Sequence, residues 1–316
     1  MMNMRKAITA VLLSVVTWGH AQQLPDFTQY PSLLFQLNPA YTGTKGNLDM
    51  RLNYRKQWMG YTGAPVTQFA GLHSRLFKGK LGLGGTVYKD VTGPSQRFNY
   101  GFSAAYHLRF PDVEFSLGIG MNFNKYTMNS GGLTTHWDGD PAIVLAQSGF
   151  DKNKNAMAGA LLYNDRFHFG LGVVNMFSTK ANFGAVGGNA TYAQHYYFTC
   201  GYNFHGHPDY VWENNLLATY VSGAPITINY NLRVHYRERF TFGAGWRMRD
   251  AVALQAGMII WKNIQAIYSY DFGISRLRKA HSGSHEITLG YRFDYDKKKS
   301  GYRNFDQFQR QKYNIF

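Results

Sequence analysis

Apolar and polar residues alternate strictly along much of this chain. From Val113 to Asn124 every second residue is apolar, and the residues between them are polar or glycine. Successive side chains of a β-strand point to opposite faces, so this segment is predicted to be a strand with one apolar and one polar face. A helix would mix the two sets around its circumference.

The same pattern recurs over most of the chain. Clear runs cover 98–109, 226–236 and 286–294, and weaker runs begin near residues 47, 66, 80, 155, 166, 193, 210, 239, 251 and 264. Together they predict an all-β transmembrane antiparallel up-and-down β-barrel of about fourteen strands over residues 47–294. A soluble β-sandwich is the alternative. Several runs exceed the roughly five or six residues typical of sandwich strands and approach the about nine to eleven of a tilted membrane strand.

Connections between the predicted strands alternate in length. Short turns are predicted near Lys78, Pro111, Asn164, His207, Arg237 and Asn263. The other connections are mostly longer, at 58–65, 126–154, 176–192 and 274–283, although those near Gly223 and Asp250 are short. Outer-membrane barrels have short periplasmic turns and longer external loops. We therefore expect the short turns to be periplasmic and, because the strand number is even, both termini as well.

Three segments lie outside the predicted barrel. Residues 1–21 combine Arg5 and Lys6 with a short apolar run and the small residues of a cleavage site, which predicts a secretory signal peptide. Residues 22–46 contain three prolines and are predicted to form a periplasmic segment that leads into the barrel. Residues 295–316 form a basic and aromatic tail, also expected in the periplasm.

Composition supports a barrel. Apolar residues make up 45% of the chain and aromatic residues 16%, yet charged residues are only 16%, against about 25% in soluble proteins. The mean hydropathy is −0.34, as expected where only alternate residues face lipid. The formal net charge is +15. In an exported barrel this favours outer-membrane lipid headgroups or an acidic partner over nucleic acid. The lone Cys200 cannot form an internal disulfide.

Several short motifs occur in order along the chain. They are Pro25–Tyr30 and Asn38–Gly43, Tyr54–Gly60 and Gly63–Gln68, Leu81–Gly85 with Asp90 and Gly93-Pro94, and Gly283–Ile287 with Gly290–Phe293. Together they resemble the PorP/SprF family of type IX secretion and gliding membrane proteins. The resemblance implies a non-enzymatic outer-membrane component of type IX secretion. It also implies periplasmic ring and lipoprotein subunits as partners, together with secreted proteins or gliding adhesins. No family motif falls in the tail.

Motifs that suggest chemistry are weak. Asp151–Asn155 imitates the start of a calcium loop, but Ala156 and Leu162 occupy positions that need Gly and Glu. His205 and His207 with Asp209 could hold a transition metal, yet they fall in a predicted turn. A barrel hydrolase would need a nucleophile, a base and an orienting group, and the sequence has no G-x-S-x-G motif. We therefore assign no catalytic, cofactor-binding or metal-binding residues. The glycines near 82–85 are expected to line the lumen or ease curvature.

Charged residues in the polar phase of the strands are expected inside the barrel. They are Asp49, Arg51, Arg55, Arg109, Glu114, Arg233, Arg247, Arg249, Glu286, Arg292 and Asp294. Such a lumen is either solvated and ion-paired, or a selective channel or binding cavity.

Partner contact is predicted at two places. In the first outer loop the candidates are Trp58 and Tyr61, although Trp58 could instead belong to an interfacial aromatic girdle. In the tail they are Tyr302, Phe305 and Phe308. The leading hypothesis is a secretion or gliding platform that acts by binding. A passive porin or solute channel is the main alternative.

Overall fold

The computed structural model describes residues 24–45, 48–76, 79–128, 150–177, 179–180, 191–222, 224–237, 239–261 and 263–293. The predicted signal peptide and the predicted tail lie outside these ranges. Within the described residues, no helix has the length and apolar character needed to cross a membrane.

The described chain is almost entirely β-strand. The strands are β1 (Leu48–Lys56), β2 (Val66–Leu76), β3 (Leu81–Thr92), β4 (Ser95–Arg109), β5 (Glu114–Met128), β6 (Phe150–Tyr163), β7 (Phe167–Val174), β8 (Thr179–Lys180), β9 (Thr191–Tyr192), β10 (His195–His207), β11 (Tyr210–Val221), β12 (Thr227–Tyr236), β13 (Phe240–Arg247), β14 (Ala251–Trp261), β15 (Ile264–Gly273) and β16 (Ser284–Phe293). One short helix, α1 (Leu34–Leu37), precedes them between two 3₁₀ turns, Tyr30–Ser32 and Pro39–Tyr41.

Fourteen of these strands form one closed antiparallel barrel, which confirms the predicted fold class. The barrel closes where β1 pairs with β16, with Leu48 opposite Phe293 and Lys56 opposite His285. The remaining two, β8 and β9, form a separate two-stranded ladder within the connection between β7 and β10. Closure leaves the barrel without an unpaired edge, so every strand has two hydrogen-bonded neighbours.

The two faces of the strands follow the predicted phase. On β5 the outward Leu117 and Ile119 are 52% and 70% exposed, whereas Ser116 is fully buried and Asn122 is 6% exposed on the inner side. The barrel is therefore apolar outside and polar inside, the inverse of a soluble protein and the arrangement expected for a barrel surrounded by lipid.

The two ends of the barrel differ. We call the end where β1 begins and β16 ends the turn end; its connections are short, as between Arg109 and Glu114 or between Tyr163 and Phe167. The opposite, loop end carries the longer connections, including 57–65 and 274–283. Three connections at the loop end are short, at 93–94, 222–226 and 248–250, one more than the sequence predicts. Arg249, predicted to face the lumen, lies in one of them, because β13 ends at Arg247 and Arg249 adopts a left-handed φ of 63°.

The structure differs from the sequence prediction for the segment before β1. Residues 24–45, here called the lumen segment, lie inside the barrel rather than beyond it. Phe27, Tyr30, Leu33, Phe35 and Tyr41 of this segment are each no more than 6% exposed. They pack against inward side chains of the wall such as Phe69, Leu161, Tyr197 and Leu217 to form the hydrophobic core of the molecule. The interior thus encloses a compact piece of the chain itself.

Candidate functional site

Local sequence explains how the lumen segment turns inside a narrow space. Pro31 lies at the start of the first 3₁₀ turn, where its missing N–H costs nothing. Asn38 precedes the second turn, and its side-chain oxygen accepts a hydrogen bond from the Ala40 amide at 2.8 Å. Between them, α1 buries Leu34, Phe35 and Leu37.

Three charged wall residues lie at the centre of the site. Arg55 of β1 donates to Asp271 of β15 and to Glu286 of β16, both at 2.8 Å. All three side chains are at most 3% exposed. We call them the charged cluster. Removing one partner from such a buried set would leave an uncompensated charge, so the cluster depends on all its members.

The charged cluster binds the lumen segment at Thr28 and Gln29. The two carboxylate oxygens of Glu286 accept the backbone N–H groups of Thr28 at 2.8 Å and of Gln29 at 3.1 Å. The Thr28 hydroxyl donates to the Asp271 carboxylate at 2.7 Å and accepts from Arg55 at 2.9 Å. Hydrogen bonds that involve ionised groups are about twice as strong as neutral ones, so this contact fixes the register of the segment.

Residues on either side extend the same contact. The Asp26 carboxylate pairs with Arg247 of β13 at 3.0 Å. The Tyr30 hydroxyl donates to the backbone carbonyl of Asn215 at 2.8 Å. The Tyr30 side chain is only 3% exposed, so this hydrogen bond is made inside the barrel.

The second half of the lumen segment binds by close backbone approach. The Asn38 amide donates to the carbonyls of Ala160 on β6 and Leu171 on β7 at 3.1 and 3.0 Å. A Cβ atom at Gly159 would collide with the Asn38 side chain, and one at Gly118 would collide with Pro39 and Ala40. Glycines on the inner face therefore make room for the segment.

Two of the glycines near residue 82 also lie on the inner face of the barrel, against the lumen segment. A Cβ at Gly82 would collide with the Thr42 carbonyl, and one at Gly84 would come within 2.9 Å of the Thr42 side chain. Gly85 points the other way, where a Cβ would meet nothing closer than 3.7 Å. Thr42 itself bonds to Ser103 on β4 at 2.8 Å. The lumen-lining role expected from the sequence thus holds for Gly82 and Gly84.

The lumen segment runs from one end of the barrel to the other. Leu24 lies at the loop end, where its backbone N–H approaches the His195 ring at 3.4 Å. Gly43 lies near the turn end, where its N–H donates to His73 at 3.1 Å. The chain then leaves the lumen and begins β1. Residue 24 and the start of β1 are consequently at opposite ends of the barrel. The two termini themselves lie outside the described residues.

A small cavity remains beside the lumen segment. It has a volume of about 50 Å³ and lies between Leu33 and Leu37 of the segment and Tyr197, Leu217 and Val221 of the wall. A cavity of this size holds only a few water molecules. At this level the lumen segment fills the barrel rather than lining an open channel.

The predicted loop residues have different surroundings. Trp58 adopts a left-handed φ of 45°. Its backbone N–H donates to the Ser284 hydroxyl at 3.1 Å, and the centre of its indole ring lies 6.3 Å from the centre of the His281 ring. Trp58 thus joins the first loop to the connection before β16. Tyr61 is 53% exposed at the loop end. Tyr302, Phe305 and Phe308 lie outside the described residues.

Most residues of the motifs that suggested metal binding lie on strands. Asp151, Asn153 and Asn155 lie on β6, part of which the sequence assigned to an outer loop, and they point into the barrel. His205 and His207 lie near the end of β10. Among the residues that the structure describes, no group of three His, Cys, Asp or Glu side chains is arranged to hold a metal ion.

Sequence inspection predicted part of the site and missed the rest. Arg55, Arg233 and Glu286 are buried in the lumen as predicted. Arg109 and Glu114 form an ion pair at the turn end, in which the arginine is 45% exposed, while Glu114 is 20% exposed and also pairs with Arg75. Asp294 is outside the described residues. Asp271 was missed, although it shares the inward phase of Ile267 and Ser269. Thr28 and Asn38 were missed because their contacts with Asp271 and Ala160 join residues more than 120 positions apart.

Comparisons with known proteins identify the family. A family model described as type IX secretion system membrane protein PorP/SprF matches residues 19–291, which confirms the resemblance seen in the motifs. No curated protein matches the sequence.

Solved structures that match at low identity include three barrels. The Acinetobacter baumannii outer membrane protein Omp33 is 9% identical, with a TM-score of 0.46 over 80% of this chain and 100% of its own. The Ralstonia pickettii toluene transporter TbuX is 11% identical, with a TM-score of 0.49 over 82% and 93%. The monoaromatic hydrocarbon channel CymD is 13% identical, with a TM-score of 0.48 over 89% and 94%.

Proposed function

Because the chain belongs to the PorP/SprF family of type IX secretion system membrane proteins, we propose that it is a non-enzymatic outer-membrane platform for protein secretion or gliding. It acts by binding: the barrel anchors it in the membrane, the loop end faces secreted proteins or gliding adhesins, and the turn end faces periplasmic machinery. The observation that carries the proposal is the family match over residues 19–291, which includes nearly the whole barrel.

The outer surface supports the membrane location. Large apolar side chains such as Phe102, Leu171 and Leu254 are 62%, 61% and 57% exposed on the outside of the barrel. A soluble monomer rarely exposes contiguous apolar surface of this extent. Outer-membrane lipids are therefore the natural contact of this face.

Each end of the barrel has its own expected partner. At the loop end, Tyr61 is an exposed aromatic side chain on a loop that the Trp58 contact holds against the connection before β16. Aromatic side chains on ordered loops are common anchors of protein interfaces. At the turn end, β16 ends at Phe293 and the basic, aromatic tail follows. We expect Tyr302, Phe305 and Phe308 to bind a ring or lipoprotein subunit in the periplasm.

Crosslinking in native membranes tests this proposal. The full chain, a variant lacking residues 297–316 and a Tyr61→Ala variant would each be crosslinked, purified and compared by mass spectrometry. We expect the full chain to recover secretion subunits and exported proteins. The tail deletion should lose the periplasmic subunits alone, and Tyr61→Ala should reduce recovery of exported proteins. Recovery of neither class by a full chain that is correctly inserted would contradict the platform.

A passive porin or solute channel is the second candidate. The lumen counts against it, because the lumen segment fills the interior and hydrogen-bonds to the buried charged cluster through Thr28 and Gln29. Conductance across planar bilayers discriminates the two: a platform with a filled lumen should show closed traces, whereas a porin should show steady open-channel steps.

A further inference from the structure

Five consecutive residues of the lumen segment each have separate wall partners. Asp26 pairs with Arg247, and the Phe27 ring packs edge-on against Phe69 with ring centres 6.0 Å apart. The Thr28 hydroxyl bonds to the charged cluster. The Gln29 carboxamide donates to the Ser269 hydroxyl and to the Glu286 carbonyl, both at 3.1 Å, and the Tyr30 hydroxyl bonds to the Asn215 carbonyl. The wall thus contacts, in order along the segment, a carboxylate, an aromatic ring, a hydroxyl, a carboxamide and a phenol.

The backbone of these residues is also bound by side chains of the wall. Glu286 accepts two consecutive N–H groups, and the Asn231 amide donates to the Thr28 carbonyl at 3.0 Å. Proteins that bind peptides combine such main-chain hydrogen bonds, which provide affinity, with side-chain contacts that provide specificity. The lumen has both features.

The wall of this site is organised by bonds of its own. Arg55 joins Asp271 and Glu286 across three neighbouring strands, and Asn53 donates to Glu286 at 2.9 Å and to Thr288 at 2.8 Å. These bonds do not involve the lumen segment, so they persist without it. When residues 26–30 leave, water can hydrate the charged and amide side chains of this part of the wall, which lowers the cost of the exchange.

We propose that the lumen is a sequence-specific peptide-binding site, which residues 26–30 fill in cis. The site also accepts, in exchange, a segment of another polypeptide that carries the side chains Asp-Phe-Thr-Gln-Tyr in this order. Asp26 lies at the loop end and the chain runs from there toward the turn end, so a bound peptide has its amino-terminal side toward the loop end. This inference is independent of the secretion role.

A cut made after folding tests the exchange. A protease site is inserted between Lys45 and Leu48 of the full chain, the purified protein is cleaved in detergent, and a fluorescent synthetic peptide of residues 24–45 is added. We expect saturable binding, seen as a rise in fluorescence anisotropy, with release of an equal amount of the cleaved segment, measured by mass spectrometry. Heat-modifiable migration on gels shows that the barrel stays folded throughout.

Variant peptides and barrels test the specificity. A peptide with Thr28→Ala and Gln29→Ala loses the hydroxyl bonds to Asp271 and Arg55 and the carboxamide bonds to Ser269 and the Glu286 carbonyl. It should therefore bind roughly ten- to a hundredfold more weakly. A peptide with residues 26–30 in scrambled order should weaken by at least as much. On the wall, Glu286→Gln should weaken binding of the unchanged peptide. Asn99→Ala is the matched control, because this buried lumen residue bonds instead to Asn124 on the neighbouring strand.

Two results would overturn the proposal. If the cleaved segment never exchanges, even with excess peptide and a folded barrel, the segment is a permanent part of the core. If the scrambled peptide binds as tightly as the natural one, the lumen holds chain without recognising its sequence. Should Glu286→Gln fail to fold, the variant peptides still test the same contacts from the other side. Recovery of secretion partners is unaffected by either result, so the two proposals fail separately.

Discussion

Asn38 shows how one side chain can hold a turn and bind two strands together. Its oxygen accepts from the Ala40 amide, and its nitrogen donates to carbonyls of both β6 and β7. This geometry needs the side chain to lie directly against the strands. Gly159 and Gly172 permit that approach, because a Cβ at either position would overlap the space that Asn38 occupies.

The inner glycines should therefore be far less tolerant of substitution than outer ones. We expect Gly159→Ala to destabilise the barrel by about 1–3 kcal/mol, the usual cost of forcing an extra methyl group into a packed interior. Gly85→Ala is the control, since a Cβ there would meet only ordinary contacts at 3.7 Å or more. Urea unfolding in detergent micelles measures both. Equal losses at the two positions would show that the lumen segment can shift away from β6.

Arg55 is the residue on which the charged cluster depends most. Its replacement by alanine leaves Glu286 buried without its cation, and leaves Asp271 with only the more distant Arg247 at 3.6 Å. We expect Arg55→Ala to cost about 3–5 kcal/mol in the free energy of unfolding. Arg109→Ala removes an ion pair whose arginine is 45% exposed, so its cost should stay within about 1 kcal/mol. Both variants are measured by urea titration. A mild effect at Arg55 would mean that water enters the cluster readily.

At the scale of elements, the strands were predictable wherever lipid imposes an apolar outer face. The runs at 98–109, 226–236 and 286–294 coincide closely with β4, β12 and β16. The predicted loop at 126–154 is longer than the connection in the structure, because β5 continues to Met128 and β6 begins at Phe150.

The missed part of β6 has a physical cause. Lys152 and Lys154 are exposed on its outer side, where lipid-facing strands carry apolar residues. With 15 and 14 residues, β5 and β6 are longer than the about nine to eleven that span a bilayer. Their loop ends therefore extend beyond the apolar band, where the outer face contacts water instead of lipid. No alternation of apolar and polar residues is required there, so the sequence pattern vanishes although the ladder continues.

The lumen segment could not be placed from the sequence for another reason. Its residues have neither the period of a helix nor that of a strand, since they form only short turns. Its contacts join residues as far apart as Thr28 and Glu286, and a pattern within a short window contains no trace of such pairs. The one local signal is the apolar Leu33–Leu37 stretch, which is unusual for a segment in water and is buried against the wall.

The outer face of β5 provides a direct test of the element assignment. Leu117 is 52% exposed on the apolar side of the barrel. Leu117→Arg places a charge in lipid and should cost roughly 2–4 kcal/mol if the residue lies near the bilayer midplane. Leu117→Phe keeps the position apolar and should be nearly neutral. Unfolding in lipid vesicles compares the two. If Leu117→Arg had no effect on stability, this part of β5 would lie outside the hydrocarbon core.

At the scale of the whole molecule, the lumen segment turns the interior of the barrel from a channel into a packed core. A fourteen-strand barrel without contents would enclose a polar channel. Here the apolar residues of the segment, with inward residues of the wall, supply the hydrophobic core that a polar lumen lacks. The charged cluster fixes the segment at the loop end. Toward the turn end, the segment packs closely against the inner-face glycines Gly82, Gly118 and Gly159. Stability and closure of the lumen therefore depend on the same residues.

The path of the segment also predicts which side its start faces. Leu24 lies at the loop end, beside His195, whereas β1 begins at the turn end. If the loops face outward, an epitope inserted between Gln22 and Gln23 should bind antibody on intact cells. In a Cys200→Ser background, Tyr61→Cys should then label from outside, and Asp112→Cys at the turn end only after the outer membrane is opened. An epitope that stays hidden while Tyr61→Cys labels would contradict the threaded path. Surface labelling of Asp112→Cys would instead reverse the orientation of the whole barrel.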